Sequence, residues 1–187
     1  MPAADFTTYY DRLLGATKDV APAPTEAQRE AANYRHGKLH VHGLDIRIEV
    51  VRGGTRTGVG SDGKPWSRKM YAHYGRIKRT VGADGEPVDV YIGEHPESQL
   101  VFIVSQLTED GNLDEYKVML GFLNYPAAKE AYLAHYPDNW ERTRLGEIRG
   151  MTMPEFKQWL DSPASRGVGK KKAAFDYYMG LLNAAQT

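Results

Sequence analysis

The chain has 187 residues, 41% of them hydrophobic and 26% charged, which predicts a soluble globular protein with its own core. Lys and Arg total 24, as do Asp and Glu, so the net charge gives no general attraction to nucleic acid or to an anionic membrane. The lack of cysteine excludes disulfides, thiolate catalysis and cysteine-ligated zinc. Because a signal-peptide pattern and a long apolar run are both missing, we expect no membrane association and a cytoplasmic location.

The N-terminal segment predicts an arm followed by a helix. Residues 1–24 combine a short amphipathic stretch with VAPAP, whose prolines favour a stiff, extended chain. Thr25 and Gln28 have the spacing of a capping box, which predicts a helix that runs to about Tyr34.

Alternating apolar residues predict the first strands. The alternation from Leu39 to Val51 is interrupted at Gly43, so we expect two strands joined by a turn there. Residues 52–58 and 60–65 are rich in glycine and predict loops.

Three further strands are predicted at residues 88–92, 100–106 and 116–122. Asp110, Gly111 and Asn112 supply a tight turn before the last of them. Since the connections are short and parallel pairing needs a long crossover, we expect an antiparallel meander.

The C-terminal part predicts helices. They are expected at residues 126–136 and, after a capping box with a first-turn proline, at residues 152–160. A basic, linker-like stretch follows and leads to a last helix whose apolar face is formed by Phe175, Tyr178, Met179 and Leu182.

Two acidic segments, residues 84–89 and 110–117, lie at the edges of the predicted meander. In a meander the start of the first strand lies at the same end as the start of the third, so these segments should converge. Carboxylates that lie so close together repel one another unless a divalent ion separates them. Hard oxygen ligands suit Mg²⁺ or Mn²⁺, and Mg²⁺ often accompanies a phosphate substrate.

Each motif also has a simpler interpretation. DGEPVD on its own is typical of a solvated loop. The D-x-N-x-D pattern from Asp110 is not an EF-hand, because Glu115 occupies its sixth position and Gly121 its twelfth. GVGKKK at 167–172 lacks the leading glycine and the Ser or Thr of a phosphate-binding loop. Nearby cations usually form a solvated face, yet among metal ligands they suit a pyrophosphate or a nucleotide.

The motifs YGRIKRT and DGEPVDV resemble the YG-(F/Y)-I-P-x-T and DGDPLDV signature of family I soluble inorganic pyrophosphatases. The stretch from about Asn33 to Leu160 resembles more closely a pyrophosphatase-like domain of phages and prophages, through NYRHGKLHVHGLDIRIE, GADGEPVDVYIG and LDEYKVMLGF. This resemblance implies an α+β fold with a small OB-like antiparallel β-barrel of about five strands and flanking α-helices. We expect an arm and first helix at 1–32, a pyrophosphatase-like domain at 33–161, and a basic linker with a C-terminal helix at 162–187.

The resemblance also implies the roles of individual residues. The catalytic set would be Glu86 as general base together with Asp89, Tyr74 and Lys117. Phosphate would be held by Tyr74, Lys117, Arg56 and Arg68. The metal ligands would come from both acidic segments and one N-terminal strand: Asp84, Glu86, Asp89, Asp110, Asp114, Glu115 and Glu49.

Three positions depart from the family pattern or are hard to place. Glu86 stands where the family has aspartate, and IKRT lacks the proline of I-P-x-T. A displacement of about 1 Å in a catalytic group can cost on the order of 100-fold in rate. Tyr132 with Lys129 is the candidate for a tyrosine–lysine pair that the family carries near its last helix.

The expected function is Mg²⁺-dependent hydrolysis of a phosphoanhydride, most simply inorganic pyrophosphate to two phosphates, with Mn²⁺ as an alternative ion. The alternative is a weakly active or inactive binding module of a phage or prophage. Its partner would be a host protein, a phage protein or, less favoured, nucleic acid, since OB-like barrels often bind nucleic acids. The oligomeric state is left open.

Overall fold

The computed structural model describes residues 7–60 and 62–167. These residues form nine strands, five α-helices and one short 3-10 helix at Pro163–Arg166. The strands are β1 Gly37–Val41, β2 Leu44–Val50, β3 Thr55–Val59, β4 Pro65–Lys69, β5 His73–Ile77, β6 Asp89–Ile92, β7 Leu100–Leu107, β8 Leu113–Leu120 and β9 Leu145–Thr152. The helices are α1 Tyr9–Lys18, α2 Glu26–Glu30, α3 Tyr125–Leu133, α4 Trp140–Thr143 and α5 Met153–Asp161.

Seven strands form one sheet in the order β1-β2-β5-β6-β8-β7-β9, and β3 and β4 form a separate hairpin. All pairings in the large sheet are antiparallel except that of β6 with β8, which is parallel. The predicted α+β class is confirmed. The sheet is open, with β1 at one edge and β9 at the other, so the expected barrel is not confirmed.

The two faces of the sheet bury different cores, because side chains alternate along each strand. One face packs against α1 and α5, whose Leu13, Phe156 and Trp159 join strand residues such as Ile48 and Val118. The other face packs against α3. Its core is rich in aromatic rings and sulfur, and contains Tyr74, Tyr91, Phe102, Met119 and Tyr132.

Helix starts follow the sequence closely. The predicted capping boxes at Thr25 and Thr152 are both present, with each threonine hydroxyl accepting a hydrogen bond from the third helical residue. A further capping box at Thr8 opens α1, so part of the predicted arm is a helix that packs on the core. The helix that begins at Glu26 ends at Glu30 rather than near Tyr34.

The predicted meander is wrong. Strand β8 lies between β6 and β7, so it pairs in parallel with β6 and antiparallel with β7. Residues 93–112, which include the whole of β7, act as the crossover that parallel pairing requires. The starts of β6 and β8 nevertheless lie side by side, so the two acidic segments converge as expected, although through a different pairing.

Residues 52–58 and 60–65 were expected to be loops, but residues 55–58 lie in β3 and Pro65 begins β4. The other described residues of these two ranges lie outside strands, as expected. Threonine, valine and tryptophan at the strand positions of this hairpin favour strands, while the glycines mask that signal. Of the helices in the described ranges, none has the length and apolarity that crossing a membrane requires. The predicted C-terminal helix with Phe175 to Leu182 lies outside the described residues.

Candidate active site

Strand register places a row of charged side chains on the face that packs against α3. Arg76 of β5 lies opposite Asp89 of β6, and Asp89 lies opposite Lys117 of β8. In the next row Tyr74 lies opposite Tyr91. Directly opposed residues on one face are close enough to interact, so these three strands alone build the centre of a polar site.

The centre of the site is a buried cluster of Asp89, Lys117 and Tyr74. The Lys117 ammonium donates to Asp89 Oδ2 at 2.5 Å and to the Tyr74 hydroxyl at 3.3 Å, and the Tyr74 hydroxyl also donates to Asp89. Lys117 is only 2% exposed and Asp89 only 7%. A buried lysine and a buried carboxylate this well paired keep their charges in an interior that would otherwise neutralise them.

The pKa values of the cluster follow from these contacts. Burial alone would raise the pKa of Asp89, but the charge of Lys117 and hydrogen bonds from Lys117 and Tyr74 lower it below its usual value. Burial alone would lower the pKa of Lys117, but Tyr74 and Asp89 hold it well above its usual value. Burial raises the pKa of the Tyr74 hydroxyl. At neutral pH the cluster therefore contains a carboxylate, an ammonium and a hydroxyl that can donate.

Glu115 extends the cluster along β8. Its carboxylate lies 2.9 Å from Lys117 Nζ and accepts a hydrogen bond from Gln106 Nε2 at 3.0 Å. Burial raises the pKa of Glu115, and the charges of Asp89 and Asp84 raise it further against the opposing effect of Lys117. The structure thus brings carboxylates of the two predicted acidic segments into one electrostatic field.

A second group of carboxylates surrounds Arg76. Its guanidinium lies 3.6 Å from Glu49, 3.4 Å from Glu86 and 3.6 Å from Asp89. Arg47 approaches Glu49 at 3.9 Å. Burial raises the pKa of Glu49, opposed by Arg76 and Arg47. The N-terminal strand therefore contributes its glutamate to the same site, as the motif resemblance implies.

The remaining predicted ligands are more exposed and lie outside the buried cluster. The side chain of Glu86 is 65% exposed, and Asp84 accepts a hydrogen bond from the Glu86 backbone N–H within the same turn. Asp110 is exposed in the turn between β7 and β8. Asp114 is half-buried and lies 3.5 Å from Gln106 Nε2. Glu86 thus contacts Arg76 and Asp114 contacts Gln106, whereas among the described residues no hydrogen bond or ion pair joins Asp110 to the charged centre.

The hairpin brings both predicted phosphate-binding arginines against aromatic rings. The Arg56 guanidinium lies 4.1 Å from the ring centre of Tyr74 and 5.2 Å from that of Trp66. Arg68 lies 4.9 Å from the Trp66 ring and 4.3 Å from the Tyr136 ring. Such stacking holds each guanidinium in place and leaves its N–H groups free to bind an anion. Arg56 is also directly opposite Arg68 in the hairpin.

Several functional groups escaped sequence analysis. Arg76 and Arg47 share a sheet face with Glu49, and period-two spacing from Tyr74 and Glu49 was the signal that could have found them. Gln106 is held by the Tyr132 hydroxyl, which in turn accepts from the Trp140 indole N–H. No sequence pattern predicted these hydrogen bonds between Gln106, Tyr132 and Trp140. The expected partner of Tyr132, Lys129, contacts Glu141 instead.

A cleft of about 190 Å³ opens beside the charged centre. It is lined by Glu49, Arg56 and Arg76 and also by residues of the N-terminal segment, which include Arg29 and Tyr34. A path from solvent thus reaches the two arginines and the carboxylate that a phosphate and its cation would contact.

The donor chemistry of the site fits a hard divalent ion. The carboxylates are oxygen donors, and Glu49 and Glu115 have pKa values raised by burial and by neighbouring carboxylates, so the site favours added positive charge. Among residues 7–60 and 62–167, no three acidic or histidine side chains lie together as a ready-made metal-binding group. Arg76 and Lys117 lie between the carboxylates instead.

The search of curated proteins found no match. A model of the family described as Inorganic Pyrophosphatase matches residues 26–161, which cover most of the chain and every residue of the site described above. The chain therefore belongs to the inorganic pyrophosphatase family.

Proposed function

We propose that this protein is a Mg²⁺-dependent hydrolase that cleaves inorganic pyrophosphate into two phosphates, with Mn²⁺ able to replace Mg²⁺. The observation that carries the proposal is the buried cluster of Asp89, Lys117 and Tyr74, flanked by Glu49 and Glu115 on one sheet face. Membership of the pyrophosphatase family supports pyrophosphate as the substrate.

Metal binding is assigned to the carboxylates of the site. Those nearest the centre are Asp89, Glu49 and Glu115. The motif resemblance adds four more exposed carboxylates: Asp84, Glu86, Asp110 and Asp114. A bound Mg²⁺ would supply a water of lowered pKa and would neutralise charge on the phosphate oxygens.

The protein's own cations would bind the substrate. Lys117 and Tyr74 keep their protons because their pKa values are raised. Both now donate to Asp89, so to bind a phosphate oxygen each would exchange a hydrogen bond of the cluster for one to the phosphate. Arg56 and Arg68 stand at the hairpin with their planes fixed by aromatic rings, a geometry that suits bidentate binding of phosphate. Together these groups would stabilise the negative charge that develops on the leaving phosphate.

Glu86 is the residue that the motif resemblance places as general base. Its carboxylate is exposed and lies 3.4 Å from the Arg76 guanidinium, so it is accessible to a water and is oriented by the arginine. The extra methylene relative to aspartate gives this side chain more freedom. We therefore propose that Glu86→Asp supports turnover at least as well as the native residue.

The test is phosphate release from pyrophosphate with Mg²⁺, compared between the native chain, Asp84→Ala and Asp89→Asn. Each variant should lose roughly 100-fold or more in turnover. Glu97→Gln is the matched control, because Glu97 is an exposed carboxylate that pairs with His95. EDTA should abolish turnover of the native chain. If the metal-dependent turnover of the native chain were no higher than that of Asp84→Ala and Asp89→Asn, the proposal would be contradicted and a non-catalytic binding module favoured.

A further inference from the structure

Arg76 occupies the middle of three carboxylates that come from two parts of the chain, strand β2 and the acidic segment 84–89. Its Nε lies 3.6 Å from Glu49 Oε1 of β2 and 3.6 Å from Asp89 Oδ1 of β6, and its NH1 lies 3.4 Å from Glu86 Oε2 of the preceding turn. Three carboxylates that converge from two segments are usual surroundings of a divalent ion. Here a side chain supplies the cation.

The positive charge of Arg76 is shared among several carboxylates and is not paired closely with one of them. A guanidinium that recognises one carboxylate usually does so through two parallel hydrogen bonds near 2.9 Å. Arg76 Nε is buried and makes no hydrogen bond, although two carboxylates lie 3.6 Å away. Strand register, which places Arg76 between Arg47 and Asp89, holds the guanidinium at this central position.

Charge balance explains what Arg76 does there. The side chains joined by ion pairs are four carboxylates and three cations, which leave one net negative charge: Glu49, Glu86, Asp89 and Glu115 against Arg47, Arg76 and Lys117. Without Arg76 the same group would have two net negative charges, and its central position would be open to another cation.

We propose that Arg76 is a built-in cation of the site, which takes the place of one divalent ion between Glu49, Glu86 and Asp89. The chain alone then binds divalent metal weakly at this position, and metal loading depends on the phosphate that arrives with it. This inference deepens the proposed function, since it concerns how the same carboxylates are loaded. Arg76 acts here as a positioning residue.

The test is calorimetric titration of Mn²⁺ into the full chain, without phosphate and at low ionic strength. Arg76→Met should bind Mn²⁺ about tenfold tighter or more, or bind one additional ion, because a positive charge a few ångströms from the ion has been removed. Arg76→Lys keeps the charge and should titrate like the native chain. Arg79→Met is the matched control. The Arg79 side chain is largely exposed and pairs with Asp45, and its loss changes the net charge by the same amount as the loss of Arg76.

Circular dichroism confirms that each variant is folded before its titration is interpreted. Equal Mn²⁺ affinity and stoichiometry in the native chain, Arg76→Met and Arg79→Met would overturn the inference, as would the absence of Mn²⁺ binding by Arg76→Met. If Arg76→Met raised the KM for pyrophosphate without changing Mn²⁺ binding, Arg76 would be a phosphate ligand and the inference would again be wrong.

Phosphate release measured on the same samples separates this inference from the proposed function. Turnover by the native chain with unchanged Mn²⁺ binding in Arg76→Met would overturn the inference and leave the hydrolase standing. Tighter Mn²⁺ binding by Arg76→Met, with no turnover by the native chain or any variant, would overturn the hydrolase proposal and leave the inference intact.

Discussion

Replacing Lys117 by methionine removes the buried ammonium that neutralises Asp89 and Glu115. Methionine has a similar length and flexible shape, so we expect little loss from a cavity. The principal effect is electrostatic, because a 7% exposed carboxylate would lose a partner at 2.5 Å and Glu115 a partner at 2.9 Å. The remaining hydrogen bond from Tyr74 compensates only part of this loss.

Breaking a buried ion pair by removing one partner typically costs about 3–5 kcal/mol in the free energy of unfolding. A domain of this kind has about 5–15 kcal/mol in total, so Lys117→Met should fold but unfold at a much lower urea concentration. Replacing both Asp89 and Lys117, by asparagine and methionine, removes both charges. That double variant should be more stable than Lys117→Met alone.

The pH dependence gives the effect its sign. In the native chain the folded-state pKa of Asp89 is lowered, so its stabilising contribution is present above its unfolded pKa and is lost as pH falls through the folded value. In Lys117→Met the buried Asp89 without its cation should have a raised folded-state pKa. Its contribution is then favourable below the unfolded pKa, about 3.9, and is lost as pH rises through the folded value. The stability gap between the two chains should therefore widen from pH 4 to pH 7.5.

Urea denaturation followed by tryptophan fluorescence measures this gap at both pH values for the native chain, Lys117→Met and the double variant. A gap under about 1 kcal/mol at pH 7.5, or a gap that does not change with pH, would refute the reasoning that Lys117 neutralises buried carboxylates.

Three other variants test separate parts of the structure. Gly75→Ala should lower the free energy of unfolding, measured in urea, by roughly 2–3 kcal/mol, because its Cβ would lie 1.9 Å from the Arg47 backbone oxygen. Gly15→Ala, in the exposed part of α1 with open space around it, should instead raise it by about 1 kcal/mol. Equal effects of the two variants would contradict the close strand contact at Gly75. Burial and the charge of Arg47 lower the pKa of His36 to about 4, so the free energy of unfolding of the native chain should decrease by about 1 kcal/mol as pH falls from 6.5 towards 4. His36→Gln can still accept a hydrogen bond from Arg47 and should lose this pH dependence in the same urea titrations. An unchanged pH dependence would exclude His36 as its source. Arg56→Met should raise the KM for pyrophosphate about tenfold or more in the phosphate-release assay, because it removes a guanidinium fixed on the Tyr74 ring; an unchanged KM would exclude Arg56 as a phosphate ligand.

Local features of the fold could be predicted from short stretches of sequence. Alternating apolar residues located β1, β2 and β6, and a continuous apolar run located β7. Capping boxes located the starts of α2 and α5, since a helix start depends on residues three positions apart. The hairpin of β3 and β4 escaped because its glycines and charged residues obscure the alternation. Packing of its arginines on Tyr74 and Tyr136, which lie outside the hairpin, stabilises it.

Short motifs of the sequence and their resemblance to a family signature pointed to the carboxylates, the lysine and the tyrosine as candidates for the site. Only the tertiary structure decided which of them meet. Inserting β8 between β6 and β7 placed Lys117 beside Asp89, and pairing β5 with β2 and β6 placed Arg76 among Glu49, Glu86 and Asp89. Strand order is chosen by long-range packing of both sheet faces, and that sum of contacts leaves no periodic signal along the chain.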